Sequence, residues 1–501
     1  MGTPEAAITF YSFLNPVTLW WLFASTFLGI VIGALPGLTA TMGVSLLVSL
    51  TLGLGTVNSM VVLIGVFLGG IYGGSRSAIL LNVPGTPSSA ATAIEGFPLA
   101  LKGEGTYAGV VVTTCSTLGG VVGMLILWLA TPWVAKMALA IGYWEYFWLG
   151  MFGIVISGSL VSDKWYKGLI SGMAGLFISA IGIDGIYGIS RFDFDSTTLK
   201  SGISLVPAMI GLFGLTEAFT ALSEPESHLV QGERRMTPRH LFGTFLDSFV
   251  LLFRHFRLFL QSSVIGTLIG ALPGTGSDIA AWVAYDAAKR TSKRKELFGK
   301  GSWEGIIGAE TSNNACTSGV FIPVITLGVA GDAVSAIIMG GLQLHGYRPG
   351  PTFLMENPGF LPFLCAVLLA VNLAMLIQGV LLTPIIGKVL QLPVGVIMPM
   401  VVLMSVVGSY AVNIRAFDIG VMVFFGFMGF VMKKLKIPAA PMALGIILGS
   451  LVELNFRRGL MAGKYSILPF FTRPVSTALF LLLAVFIVWP IIRNARRAGE
   501  S

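Results

Sequence analysis

The stretch Gly33-Ala34-Leu35-Pro36-Gly37 recurs, letter for letter, as Gly270-Ala271-Leu272-Pro273-Gly274. Both copies lie inside long apolar runs, where glycine and proline interrupt a helix. An interrupted helix exposes N–H and C=O groups, and within a bilayer these must face protein, water or a ligand. Two matched interruptions in the two halves of one membrane chain point to a solute site at the interface between repeats.

The repeat continues outward from the identical letters. The first copy leads into a helix-like run, Thr41–Leu52, and later into a second Gly/Pro-rich stretch. That stretch runs from Tyr72-Gly73-Gly74-Ser75-Arg76 to Asn82-Val83-Pro84-Gly85-Thr86. The second copy leads into Asp278–Ala288, then into Thr311-Ser312-Asn313-Asn314 and Leu327-Gly328-Val329-Ala330-Gly331-Asp332. The offset is 237 residues between Gly33 and Gly270, and 246 between Gly85 and Gly331. The basic insertion around Lys289–Lys300 accounts for the difference.

Composition sets the class. Of 501 residues, 55% are hydrophobic and 11% charged, where a soluble chain carries about 25% charged residues. Runs such as Leu361–Pro384 and Ser476–Pro490 approach or reach the ~20 apolar residues of a span. The expected fold is an all-α polytopic membrane protein. It has two inverted-topology repeats, discontinuous helices and re-entrant hairpins, with about 11 to 13 membrane elements.

The net charge of +8 sits in short loops and marks topology, not nucleic-acid binding. The loop after the second break-helix holds Lys289, Arg290, Lys293, Arg294, Lys295 and Lys300, whereas its counterpart Gly53–Ser59 is uncharged. Equivalent points of the halves therefore face opposite sides. Residues 1–230 read as the first repeat, 231–257 as a cytoplasmic amphipathic linker and 258–501 as the second repeat. In the linker Thr237-Pro238 starts a helix, and Leu241, Phe242, Phe245, Phe249 and Phe253 recur at helical spacing. The basic tail Arg493–Arg497 places the C-terminus in the cytoplasm and the N-terminus outside. No positive n-region precedes Val17–Leu35, so that stretch is expected to stay as a membrane helix.

Half-helices that start within the membrane present free N–H groups and a positive dipole end, both suited to a carboxylate. Pro36, Gly37, Thr39 and Thr41 in the first half, and Pro273, Gly274, Thr275 and Ser277 in the second, occupy such starts. The competing reading is tight helix crossing through small residues. Arg76 is a candidate bidentate contact for a carboxylate, or else snorkels or pairs with Glu95. Asn82, Pro84, Gly85, Thr86, Asn313 and Asn314 complete the solute candidates, although buried Asn also ties membrane helices together. Asp278 and Asp332 are candidate cation-coupling residues for Na⁺ or H⁺, or N-caps. Glu145, Asp163, Asp184, Asp193 and Asp195 read as loop charges, and Trp144–Trp148 as an interfacial belt. Cys115, Cys316 and Cys365 read as packing residues. Neither they nor the four scattered histidines suggest a cofactor or metal.

At these residues the sequence resembles the large membrane subunit of the tripartite tricarboxylate transporter family. The resemblance rests on Gly33–Leu38, Tyr72–Ser75, Ala78–Ala93, Glu95–Pro98 with Lys102–Glu104, Ala309–Ala315 and His345–Pro351. It implies a bacterial inner-membrane permease working with a small membrane subunit and a periplasmic solute-binding protein. It further implies ion-gradient-driven uptake of a small organic anion. Arg76 and Ala330-Gly331-Asp332 depart from the family pattern, so the solute need not be citrate. An intramembrane enzyme is disfavoured because no histidine lies near Ser75 and no HExxH occurs. A pump is disfavoured because no phosphate-binding GxxxxGK[ST] loop occurs. A channel does not require the matched breaks, and a standalone carrier is the nearest alternative.

Overall fold

The computed structural model describes residues 15–35, 38–82, 84–161, 165–184, 186–223, 238–383 and 394–485. Its described residues are helical except for loops and one antiparallel pairing, Gly182–Ile183 with Ser190–Arg191. In chain order come α1 (Pro16–Ala34), α2 (Ala40–Leu50), α3 (Gly55–Leu81), α4 (Ala90–Leu101), α5 (Gly105–Leu139), α6 (Tyr143–Val161) and α7 (Trp165–Ser179). After the hairpin, α8 (Leu205–Met209) passes through a π-helical turn, Ile210–Leu215, into α9 (Thr216–Ser223). The next helices are α10 (Pro238–Arg254), α11 (Phe256–Ala271), α12 (Gly276–Thr291), α13 (Trp303–Gly319), α14 (Phe321–Leu327) and α15 (Ala333–Leu344). Then follow α16 (Phe353–Glu356), α17 (Phe360–Leu382), α18 (Val394–Asn413), α19 (Ala416–Lys434) and α20 (Ala440–Ala462).

Six of the described helices are long and apolar enough to cross a membrane, or seven if α10 and α11, bent by 83°, form one span. This is a multi-pass membrane protein. Beside these stand half-length helices: α12 and α15 have 16 and 12 residues and are too short to cross alone.

Local chemistry sets the first helix. Asn15 accepts from the Val17 N–H and Pro16 occupies the first turn, where its missing donor costs nothing. The helix then lies along α3 through small residues, with Gly29 against Val66 and Gly33 against Gly70. A Cβ on Gly33 would sit 2.0 Å from the Gly70 carbonyl oxygen, so only glycine allows this approach. The second half packs in the same way: along α11 and α13, Gly266 meets Ser312 and Gly270 meets Cys316 and Val320.

Two of the stretches read as breaks are continuous helix. Tyr72–Arg76 lies within α3, and Thr311–Asn314 within α13. Their small residues serve close packing: Gly73 meets the Ile30 carbonyl and Gly74 meets Thr86. The chain turns only afterwards. Asn82 ends α3 in a left-handed conformation at φ 57°, which asparagine tolerates, and Gly328 ends α14 in the same way at φ 67°.

The cluster Trp144–Trp148 lies in the first turns of α6. It packs inward against Phe456, Phe470, Phe471 and Phe480, with Trp148 Nε1 donating to the Phe470 carbonyl at 2.8 Å. Trp148 is buried there, whereas Trp144, Tyr146 and Phe147 are half-buried. The linker helix α10 forms as expected, with Phe242, Leu246, Val250 and Phe253 exposed along one side. Its other side is tied to α5 by Ser248 and Thr114, 2.7 Å apart. Thr237 and the tail Arg493–Arg497 lie outside the described residues.

Candidate functional site

Four helix starts, those of α2, α12, α15 and α20, and the short turn that Thr86 opens converge on one cavity of about 320 Å³, at the small end of the range for ligand sites. Thr39 opens α2 and accepts from the Met42 N–H at 3.1 Å. Thr86 precedes the turn into α4, where its carbonyl accepts from Ser89 Oγ at 2.7 Å. Thr275 opens α12, and Asp332 opens α15. Thr41, Gly274, Ser277 and Asp278 line the same space. The chain reaches these turns at Gly274 and Gly276, with φ +83° and +70°, a region closed to most side chains. Gly276 packs on Asp332, whose Cβ would be 2.9 Å from an added Cβ.

The caps differ in kind. Asp332 and Ser335 form a reciprocal capping box, with Ser335 N–H donating to Oδ1 at 2.7 Å and Asp332 N–H to the Ser335 hydroxyl at 2.9 Å. Thr275 does not cap with its side chain. Its hydroxyl donates backwards, to Leu272 O at 2.9 Å and to Ile269 O. That leaves the first N–H groups of α12 without a side-chain cap from Thr275, on the cavity side.

A helix start carries about half a positive charge, so four of them make the cavity attractive to anions. Against this stand three lining carboxylates, Glu217, Asp278 and Asp332, and one ammonium, Lys433. Asp278 and Asp332 are close enough to repel one another, and the backbone of Ser88 faces Asp278. Such an arrangement combines an anion cradle with charge that attracts a small cation. Glu217, Thr216 and Lys433 were not legible as site residues. They come from α9 and α19, outside the repeated stretches, and the π-helical turn that aims Thr216 and Glu217 inward has no sequence signal.

Arg76 is not among the residues lining this cavity. It is buried within α3, and its guanidinium donates to Tyr72, to Thr113 Oγ1 at 2.6 Å and to Gly379 O at 2.9 Å. It does not pair with Glu95 either. That carboxylate is fully buried and accepts from Tyr285, Gly299, Gly301 and Ser302, at 2.6–2.9 Å. Close to Arg76 lies Glu310, which accepts from Ser75 at 2.6 Å, from Ser116 at 2.9 Å and from Thr92.

The remaining candidates divide by position. Asn82 and Pro84 are exposed, away from the cavity lining. Gly85 is buried, its added Cβ meeting Gly33 O at 2.0 Å, and Pro273 is buried against Gly153. Asn313 and Asn314 are wholly buried in α13 and do not line the cavity. Asn314 Nδ2 contacts Met375 Sδ at 3.5 Å, and the Asn313 amide has no hydrogen-bond partner among the described residues. Pro36 and Gly37 lie outside the described residues.

Comparison with known proteins identifies the family. An uncharacterized 52.8 kDa protein of Agrobacterium vitis, from the TAR-I ttuC' 3' region, is 32% identical over 497 residues, which is 98% of this chain and 97% of that one. A second Agrobacterium vitis protein, from the TAR-II ttuC' 3' region, is 32% identical over 234 residues, covering 46% of this chain and 97% of its own length. No solved structure matches the chain. The model of the tripartite tricarboxylate transporter TctA family matches residues 19–444, and the chain belongs to that family.

Proposed function

We propose that this protein is the large permease subunit of a tripartite carrier that takes up a small organic anion, a di- or tricarboxylate. The observation that carries the reading is the convergence of four helix starts on one cavity, a geometry suited to carboxylates. Uptake is driven by a Na⁺ or H⁺ gradient, with Asp278 and Asp332 as the cation-coupling residues. Thr39, Thr41, Thr86, Gly274, Thr275 and Ser277 surround the solute. The partners are a small membrane subunit and a periplasmic solute-binding protein, and the setting is the bacterial inner membrane.

The halves are read as inverted repeats. A matched pair of contacts supports the repeat: Gly85 lies against Gly33 O, and Gly331 against Gly270 O. The inversion itself is supported by charge: the end of α12 and the loop after it carry Lys289, Arg290, Lys293, Arg294, Lys295 and Lys300, whereas Gly53–Ser59 after α2 carries none, as loops on opposite sides do. The side of the cavity formed by α9 and α19 faces the cytoplasm in this reading. Both helices end toward basic segments, Arg234-Arg235 and Lys433-Lys434, as cytoplasmic ends do.

The test is uptake of a labelled carboxylate panel into proteoliposomes holding the chain and its small subunit, with and without the binding protein, under Na⁺ or proton gradients. Gradient-driven accumulation that requires the binding protein is expected. Accumulation without it would favour a standalone carrier, and equilibration alone would favour a channel.

A further inference from the structure

Lys433 is the single cationic residue among the described residues that line the cavity, and nothing in the repeat pattern accounts for it. It stands in the last turn of α19, and its ammonium donates to Glu217 Oε2, on the first turn of α9, at 2.7 Å. The two helices meet closely there. A Cβ on Gly429 would fall 2.1 Å from Thr216 Oγ1, and that hydroxyl donates to Gly426 O at 3.1 Å. The preceding π-helical turn, Ile210–Leu215, brings Leu212 and Phe213 to the cavity wall and carries Thr216 and Glu217 to it. Single-turn π segments of this kind recur at functional sites.

We propose that Lys433 binds the second carboxylate of a solute that bears two or more, and that Glu217 competes for the same ammonium. This rests on the anion-carrier reading above and adds to it the residue that selects for charge. The helix starts satisfy one carboxylate through backbone N–H groups, and do so equally for a monoanion and a dianion. A second carboxylate is met best by a cation, because the charged groups of the lining other than Lys433 are Asp278, Asp332 and Glu217, which repel it. An ammonium has three donors, so Lys433 can exchange the Glu217 carboxylate for the solute's without losing its own pairing. With the solute absent, the Lys433–Glu217 pair ties α9 to α19. With a dianion bound, that tie passes through the solute.

The experiment is ligand-dependent thermal protection of the full chain in detergent, with succinate and butyrate as dianion and monoanion of equal length, alongside uptake of both in the reconstituted complex. Wild type is expected to bind succinate about tenfold or more tightly than butyrate, the discrimination that a charge-assisted hydrogen bond supplies. Lys433→Gln should abolish that preference while leaving butyrate affinity within about twofold. Lys433→Gln with Glu217→Gln removes the helix tie without stranding a charge, and should show the same loss. Glu217→Gln alone should strengthen succinate binding. An unchanged preference in both Lys433 variants, or equal weakening of the two ligands, would overturn the role of Lys433. A folded wild type that binds and transports no carboxylate would instead overturn the anion-carrier reading, and this inference with it.

Discussion

Glu310 on α13 and Ser75 on α3 share a hydrogen bond of 2.6 Å that joins the second half of the chain to the first inside the helix bundle. Ser116 on α5 and Thr92 on α4 donate to the same carboxylate. One fully buried acidic group therefore gathers four helices.

Glu310→Gln replaces an acceptor oxygen with an NH₂ group facing hydroxyl donors, and removes a carboxylate that interacts with Arg76. Loss of charge-assisted bonds at a buried site costs about 2–5 kcal/mol. The three cysteines, all buried and free, report unfolding through a thiol-reactive dye. Labelling at clearly lower temperature is expected, and an unchanged unfolding curve would show that the network is dispensable.

Arg76→Ala tests the alternative roles of the arginine. Tyr72, Thr113 and the Gly379 carbonyl would lose a shared donor, so stability should fall by about 2 kcal/mol or more. In the fraction that remains folded, the KM for the anion should stay near the wild-type value. A raised KM with unaltered stability would return Arg76 to the solute site.

Asp332 separates cap from charge. Asparagine caps as well as aspartate, so Asp332→Asn should leave stability nearly unchanged, whereas Asp332→Ala should cost about 1 kcal/mol. If the carboxylate couples a cation, both variants, and Asp278→Asn, alter the dependence of uptake on Na⁺ or pH. Cation titrations that superimpose on wild type for all three would remove these residues from coupling.

Asp184, in the hairpin outside the spans, carries a pH signature. The Arg457 side chain, joined by the backbone N–H groups of Ile186 and Tyr187, holds its carboxyl well below the usual aspartate range. A folded pKa below the unfolded one means the contribution is complete above about pH 4 and fades as pH falls through the depressed value. Thermal unfolding followed from pH 7 to pH 3 should lose stability at the acid end, and Asp184→Asn should flatten that part of the profile. A variant with the same acid dependence as wild type would assign it to other carboxylates.

The duplicated Gly-Ala-Leu-Pro-Gly stretch, read with the hydropathy of the chain, determined the class of fold and the helix starts at Thr39 and Thr275. Glycine and proline act through local backbone geometry, which sequence carries directly. Sequence also placed Thr86, Asp278 and Asp332 among the candidates that the structure gathers on one cavity. It misplaced Tyr72–Arg76 and Thr311–Asn314 as breaks, because glycine and asparagine in a membrane helix serve interruption and close packing alike. Only the neighbouring helix decides between those uses: Ile30 and Thr86 lie against Gly73 and Gly74. Arg76, Glu310, Glu217 and Lys433 needed the tertiary structure for the same reason. A buried charge takes its role from the groups that surround it, and here those groups come from helices as far as 303 residues away along the chain.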